Sequence, residues 1–118
     1  MKHDEPILDE KVLQGLVHEI GLANTLKFMD SLDRELQNRI RHITTAIAAH
    51  SFSELAAQAH SLKSSAQISG ARRLAGILTR LEVAAKQEQE GALALAQEAL
   101  NAAELTRFAY IDVKLPGK

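Results

Sequence analysis

Apolar residues recur at steps of three and four along most of the chain, which is the spacing that places side chains on one face of an α-helix. Asp9 can cap a first helix, whose apolar face consists of Val12, Leu13, Leu16, Val17 and Ile20. Gly21 interrupts the pattern, and a long second helix is predicted from about Ala23 to His50. Its apolar positions are Leu22, Leu26, Met29, Leu36, Ile40, Ile43 and Ile47, with the step from Met29 to Leu36 taken through Leu32 or Asp33.

Three more helices are predicted in the second half of the chain. Ser51 or Ser53 caps the third helix, which ends at Ser69-Gly70, and the fourth begins almost at once at Ala71. So short a connection forces an antiparallel helical hairpin. The fourth helix has core positions at Leu74, Ile77, Leu78, Leu81 and Ala85. After a break at Gly91, a fifth helix is indicated by Leu93, Ala96, Leu100, Ala103 and Phe108.

The composition supports a helical bundle. The 118 residues are enough for one domain with one hydrophobic core, and the two prolines, Pro6 and Pro116, lie near the ends of the chain, outside helix interiors. We therefore expect a single all-α domain over residues 1–118. Its architecture is an antiparallel four-helix bundle (up-down-up-down) with a short additional N-terminal helix. Residues 1–6 and 113–118 are expected to be frayed ends.

Charge and motif content exclude several function classes. A net charge of −1 argues against binding of nucleic acid through phosphate neutralisation, and the absence of cysteine excludes thiolate chemistry. No apolar run reaches the ~18 residues of a membrane span and no signal peptide is recognised, so a cytoplasmic protein without membrane association is expected. The histidines lack zinc-binding spacing, and no Walker A or kinase glycine loop is present. The chain is therefore not expected to be an enzyme with an ATP site.

His60 stands apart from the apolar face of the third helix. That face carries Leu55, Ala59, Leu62, Ala66 and Ser69. The histidine lies roughly 130° from its centre on a helical wheel, with Lys63, Ser64 and Gln67 at +3, +4 and +7 on its own side. A neutral imidazole nitrogen is nucleophilic near neutral pH, so an exposed histidine beside a cation can receive a phosphoryl group. The alternative is a surface histidine without a role.

The segment 59–82 resembles the histidine-containing phosphotransfer (HPt) domain. The matching positions are His60, Leu62, Lys63, Ser65, Ala66, Gly70, Ala71 and Leu74, together with the pair Leu81-Glu82. One position departs, because the family usually has glycine where this chain has Ser64. Small quorum-sensing phosphorelay proteins of the LuxU type also carry Lys-Ser-Ser-Ala there, which suggests that subtype.

The resemblance implies roles for the residues around His60. It implies phosphorylation of His60 at Nε2 and contact between Glu82 and the histidine, with Glu82 holding the tautomer. Lys63 can balance the charge of the phosphoryl group or be a solvated lysine. Ser64 and Gln67 can donate hydrogen bonds to phosphoryl oxygens or simply form an exposed polar face.

The resemblance also implies a phosphoryl carrier that relays the group between aspartates of receiver domains, including that of a hybrid sensor kinase. Such a carrier needs no cofactor, because Mg²⁺ is expected on the partner receiver domain, and it is expected to be a monomer. Exposed apolar residues, Ala56 and Ile68, are candidates for receiver docking. Basic residues near the hairpin can form a rim for an acidic partner or be solvated; they are Arg72, Arg73 and Arg80. The alternative function is a non-catalytic helical adaptor with a decayed motif, of which Ser64 is one sign.

Overall fold

The computed structural model describes residues 5–118 and shows five α-helices and no strand in that range. The helices are α1 Glu10–Ile20, α2 Leu22–Ala48, α3 Phe52–Ile68, α4 Arg72–Lys86 and α5 Gly91–Asp112. Asp9 caps α1 through its side chain, and Ser51, the first of the two predicted alternatives, caps α3 by accepting from the amide of Glu54 at 3.2 Å. The predicted all-α fold class is confirmed.

Helices α2 to α5 form the bundle. Each contacts the next along the chain, and α5 returns to contact α2, so the four helices close a ring around one core. Short connections between consecutive helices make the neighbours antiparallel. Helix α1 lies outside this ring against α2, with Leu13 fully buried beneath it.

On the side of α5, most of the core residues are alanines. The buried alanines of α5 are Ala92, Ala96, Ala99, Ala102 and Ala103. Of the residues that indicated this helix, Ala96 and Ala103 are buried, Leu93 and Leu100 are only partly buried, and Phe108 is exposed. Small side chains allow helix axes to approach closely, so the alanine face packs inward and the larger side chains are left at its edges.

Both ends of the described chain are attached to the bundle. The prediction that residues 113–118 are frayed is wrong at Val113 and Leu115, because both side chains are buried in the hydrophobic core. At the other end, the backbone N–H of Arg73 donates to the carbonyl of Pro6 at 3.0 Å and its Nε donates to the carbonyl of Glu5 at 2.8 Å. Residues 1–4 of the predicted frayed N terminus lie outside the described residues.

The turn between α3 and α4 depends on Gly70. This residue has φ +78°, and the N–H groups of Gly70 and Ala71 donate to the carbonyls of Gln67 and Ala66 at 3.3 and 2.9 Å. This is the Schellman pattern of helix termination, which favours glycine in the left-handed position. A Cβ at Gly70 would also lie 2.7 Å from the carbonyl oxygen of Asp9. Gly70 therefore serves both the hairpin and the docking of α1.

We expect Gly70→Ala to lower the free energy of unfolding by roughly 2 kcal/mol or more, because the left-handed conformation alone costs an L-residue about 1–2 kcal/mol and the Cβ displaces the start of α1. Gly15→Ala is the matched control: a Cβ there meets nothing within 4 Å, so it should raise helix stability by about 0.5–1 kcal/mol. Urea unfolding followed by circular dichroism measures both. A Gly70→Ala protein as stable as wild type would contradict this account of the turn.

Candidate functional site

His60 lies in the middle of α3 and points away from the core. Its side chain is 71% exposed, whereas the five residues predicted to form the opposite face are all buried. The helix therefore places the imidazole in solvent while its own packing is provided by other residues. This confirms the orientation predicted from the helical wheel.

Glu82 of α4 lies across the hairpin from His60 and is only 6% exposed. Its carboxylate has three neighbours: Lys63 Nζ lies 2.8 Å from Oε1, while His60 Nδ1 and Lys86 Nζ lie 2.9 and 3.0 Å from Oε2. A buried carboxylate without partners is strongly disfavoured, so these donors are what allow it to remain charged. The hydrogen bonds from Lys63 and then Lys86, with a smaller one from His60, lower the pKa of Glu82 to about 2 against the opposing effect of burial.

The ionised carboxylate determines which nitrogen of His60 carries the proton. A carboxylate can only accept hydrogen bonds, so the 2.9 Å contact requires a proton on Nδ1. In the neutral ring, the lone pair is then on Nε2. The site thus combines an exposed nucleophilic nitrogen with a buried anion that fixes the tautomer and the ring orientation.

The two lysines differ in how well the sequence predicted them. Lys63 was expected near the phosphoryl site, and the structure binds it to Glu82 with its side chain only 27% exposed. Lys86 was not predicted, and its side chain is 64% exposed. The signal that could have found it is the i,i+4 spacing from Glu82 to Lys86 on α4, which favours an ion pair in this order.

Ser64 and Gln67 are both exposed on α3, at different distances from His60. Ser64 lies one helical turn away, on the same side of the helix. Gln67 lies about 10 Å along the helix axis from His60 and lines a groove of about 420 Å³ with Asp9, Val12 and Arg72. The structure therefore keeps Ser64 beside the imidazole and places Gln67 nearer the hairpin turn.

The residues predicted for docking fall into different environments. Ile68 is exposed, as predicted, but Ala56 is buried with 9% accessibility, so its prediction as an exposed apolar residue is wrong. Ala56 faces α4 and lines a cavity of about 620 Å³ with Phe52, Ala85 and Lys86. A helical wheel drawn for α3 alone could not show how much of that edge α4 covers.

Arg72 and Arg73 lie about 15 Å along α4 from Glu82, at the hairpin end of the helix. Arg72 pairs with Asp9 at 3.5 Å, and Arg73 binds the segment of Glu5 and Pro6. The structure therefore engages both arginines with the N-terminal segment and does not bring them to His60.

Within residues 5–118, no helix has the length and apolarity needed to cross a membrane. In the same range, no cluster of three or more histidine, cysteine, aspartate or glutamate side chains is arranged to hold a metal ion.

Comparison with known proteins agrees with this geometry. Residues 27–110 match the model of the Hpt domain family, and no curated protein matches the chain by sequence. Among solved structures, the chain is similar to histidine-containing phosphotransfer protein B from Pseudomonas aeruginosa PAO1, with a TM-score of 0.83 and 26% identity over 91% of this chain and 93% of that one. The matched segment includes the whole α3–α4 hairpin with His60 and Glu82. The chain therefore belongs to the Hpt domain family, whose members are phosphotransfer intermediates of two-component signalling.

Proposed function

We propose that Nε2 of His60 accepts a phosphoryl group from the aspartate of one receiver domain and passes it to the aspartate of another. The observation that carries this proposal is the 2.9 Å contact between His60 Nδ1 and the buried Glu82 carboxylate. That contact leaves the exposed nitrogen of the ring with its lone pair, which is what attack on phosphorus requires.

The geometry supports transfer without movement of the imidazole proton. In the first step, Nε2 attacks phosphorus, the P–Nε2 bond forms, and the P–O bond to the receiver aspartate breaks to release a carboxylate. The ring becomes a cation with its proton still on Nδ1, and the Glu82 carboxylate beside it stabilises that charge. In the second step, an aspartate oxygen attacks phosphorus, and the ring leaves as neutral imidazole. Glu82 is a positioning residue in both directions.

The partner supplies the rest of the reaction. The family resemblance favours a Mg²⁺ ion held by the receiver domain, with no cofactor and no ATP site on this chain. It also favours a monomer that acts in the cytoplasm. The LuxU-like subtype suggested by Ser64 stays a prediction. The non-catalytic adaptor alternative is disfavoured by one observation: an adaptor does not require a buried carboxylate that orients an exposed histidine.

We expect His60→Gln to abolish phosphoryl acceptance without loss of helix content, because this exposed side chain contributes little packing. The measurement is incubation with a radiolabelled phosphorylated receiver domain, followed by a test for acid-labile, alkali-stable label. His18→Gln, at another exposed histidine, is the control and should label as wild type does. Label that persists on the His60→Gln protein would show that another residue is the acceptor.

Glu82 variants should separate orientation from charge. Glu82→Gln keeps an oxygen that can accept from Nδ1, so it should transfer faster than Glu82→Ala and more slowly than wild type.

The charge of Glu82 should also show in the pH dependence of stability. Because folding lowers the pKa of Glu82 to about 2, its contribution to stability is fully present above the unfolded pKa near 4.5 and is lost as the pH falls towards 2. The stability difference between wild type and Glu82→Gln should therefore shrink from pH 6 to pH 2. A constant difference, or equal transfer by the Gln and Ala variants, would contradict the role assigned to this carboxylate.

Ser64→Gln should block transfer from a receiver domain while leaving the histidine reactive, because a long side chain one turn from His60 obstructs a protein and leaves room for a small molecule. The two rates to compare are labelling by a phosphorylated receiver and labelling by phosphoramidate. Ser31→Gln, on the exposed surface of α2, is the control. Full transfer from the receiver would mean that the partner approaches from another direction.

A further inference from the structure

The two lysines on Glu82 occupy different positions. Lys63 binds Oε1, which has no second donor among the contacts described above, and its side chain is largely covered. Lys86 binds Oε2, which His60 Nδ1 also approaches, and its side chain is largely exposed. One carboxylate oxygen thus depends on a single lysine, while the other has two donors.

This difference determines which lysine can leave the carboxylate. If Lys63 moved away, Oε1 would be buried without a donor, which is costly for a charged group. If Lys86 moved away, Oε2 would keep its bond from Nδ1, and phosphorylation strengthens that bond because the ring becomes cationic. Only Lys86 can exchange partners when His60 is phosphorylated without leaving a buried oxygen unpaired.

Lys86 also lies close to the imidazole that would carry the phosphoryl group. Its Nζ and the Nδ1 of His60 both lie about 3 Å from Oε2, so the two nitrogens are no more than about 6 Å apart. The lysine stem is long and its ammonium rotates freely. It borders the open cavity lined by Phe52, Ala56 and Ala85, which provides room for movement on that side of the hairpin.

The charges at the site favour contact between a lysine and the phosphoryl group. Glu82 carries one negative charge and the two lysines carry two positive charges, so the cluster with neutral His60 has one surplus positive charge. Phosphorylation adds a dianionic group and one positive charge on the ring, which removes the surplus. A cation already present beside the nucleophile therefore becomes neutralised when the phosphoryl group arrives.

We infer that Lys86 is the cation that contacts the phosphoryl group on His60, and that Lys63 is a positioning residue that holds Glu82. This inference rests on the proposed function, and it assigns the phosphoryl contact to a different lysine from the one that the sequence motif indicated.

The test uses the full chain, with phosphoramidate as the phosphoryl donor so that no partner protein is needed. In this reaction Nε2 attacks phosphorus, the P–Nε2 bond forms, and the P–N bond of the donor breaks to release ammonia. The variants are Lys86→Gln, Lys63→Gln, the conservative Lys86→Arg, and Lys27→Gln as an exposed control on α2. The readouts are the phosphorylation rate, the pH midpoint of the phosphohistidine ³¹P shift, and urea stability of the unmodified protein.

Lys86→Gln should slow phosphorylation about fivefold, which corresponds to the upper range for an exposed ion pair. It should also move the ³¹P midpoint to higher pH and lower stability less than Lys63→Gln does, and Lys86→Arg should restore both the rate and the midpoint. Lys63→Gln should lower stability and leave the ³¹P midpoint near the wild-type value. The inference is overturned if Lys86→Gln matches the Lys27→Gln control, or if Lys63→Gln causes the larger shift in the ³¹P midpoint. A wild-type protein that is not labelled at His60 would instead refute the proposed function, and the inference with it.

Discussion

A carboxylate buried between two helices must be surrounded by donors, and this constraint organises the site. Glu82 keeps its charge because Lys63, Lys86 and His60 approach it from α3 and α4. The low pKa that results makes it an acceptor at every pH where the protein is expected to work. The tautomer of His60, and with it the nucleophilicity of Nε2, follows from that one ion cluster.

The hairpin determines whether these groups can meet. Gly70 terminates α3 in a left-handed turn that also receives the start of α1, so the register between α3 and α4 is specified where the chain reverses. Buried alanines, such as Ala59 and Ala85, allow the two helices to pack closely beside the site. His60 and Glu82 lie at similar distances from the turn, which is why they face each other.

Helices α5 and α2 stabilise the α3–α4 hairpin through hydrogen bonds on its non-reactive side. The hydroxyl of Tyr110 on α5 donates to Ser69 at 2.7 Å in the buried interior, and burial raises the pKa of this tyrosine. Ser65 on α3 donates to Glu35 of α2 at 2.9 Å. These bonds attach the non-reactive side of the hairpin to the rest of the molecule. The hairpin that carries the exposed imidazole is therefore already held in place before a partner binds.

The helices, the hairpin and the exposure of His60 could be predicted from the sequence, because each follows from local spacing: apolar periodicity, capping residues and a glycine at the turn. The motif shared with the Hpt family also placed Glu82 opposite the histidine. Three features could not be predicted in this way and depend on packing between helices: Lys86 joins the ion cluster, Ala56 is covered, and α5 packs through its alanines and leaves Phe108 exposed. A helical wheel describes angles around one axis, whereas these outcomes depend on which neighbouring helix covers each edge and how far a long side chain reaches. The same holds for Lys63. The motif places it one turn from His60 and so indicated it for the phosphoryl contact, whereas in the structure its ammonium binds the carboxylate of Glu82 on the facing helix.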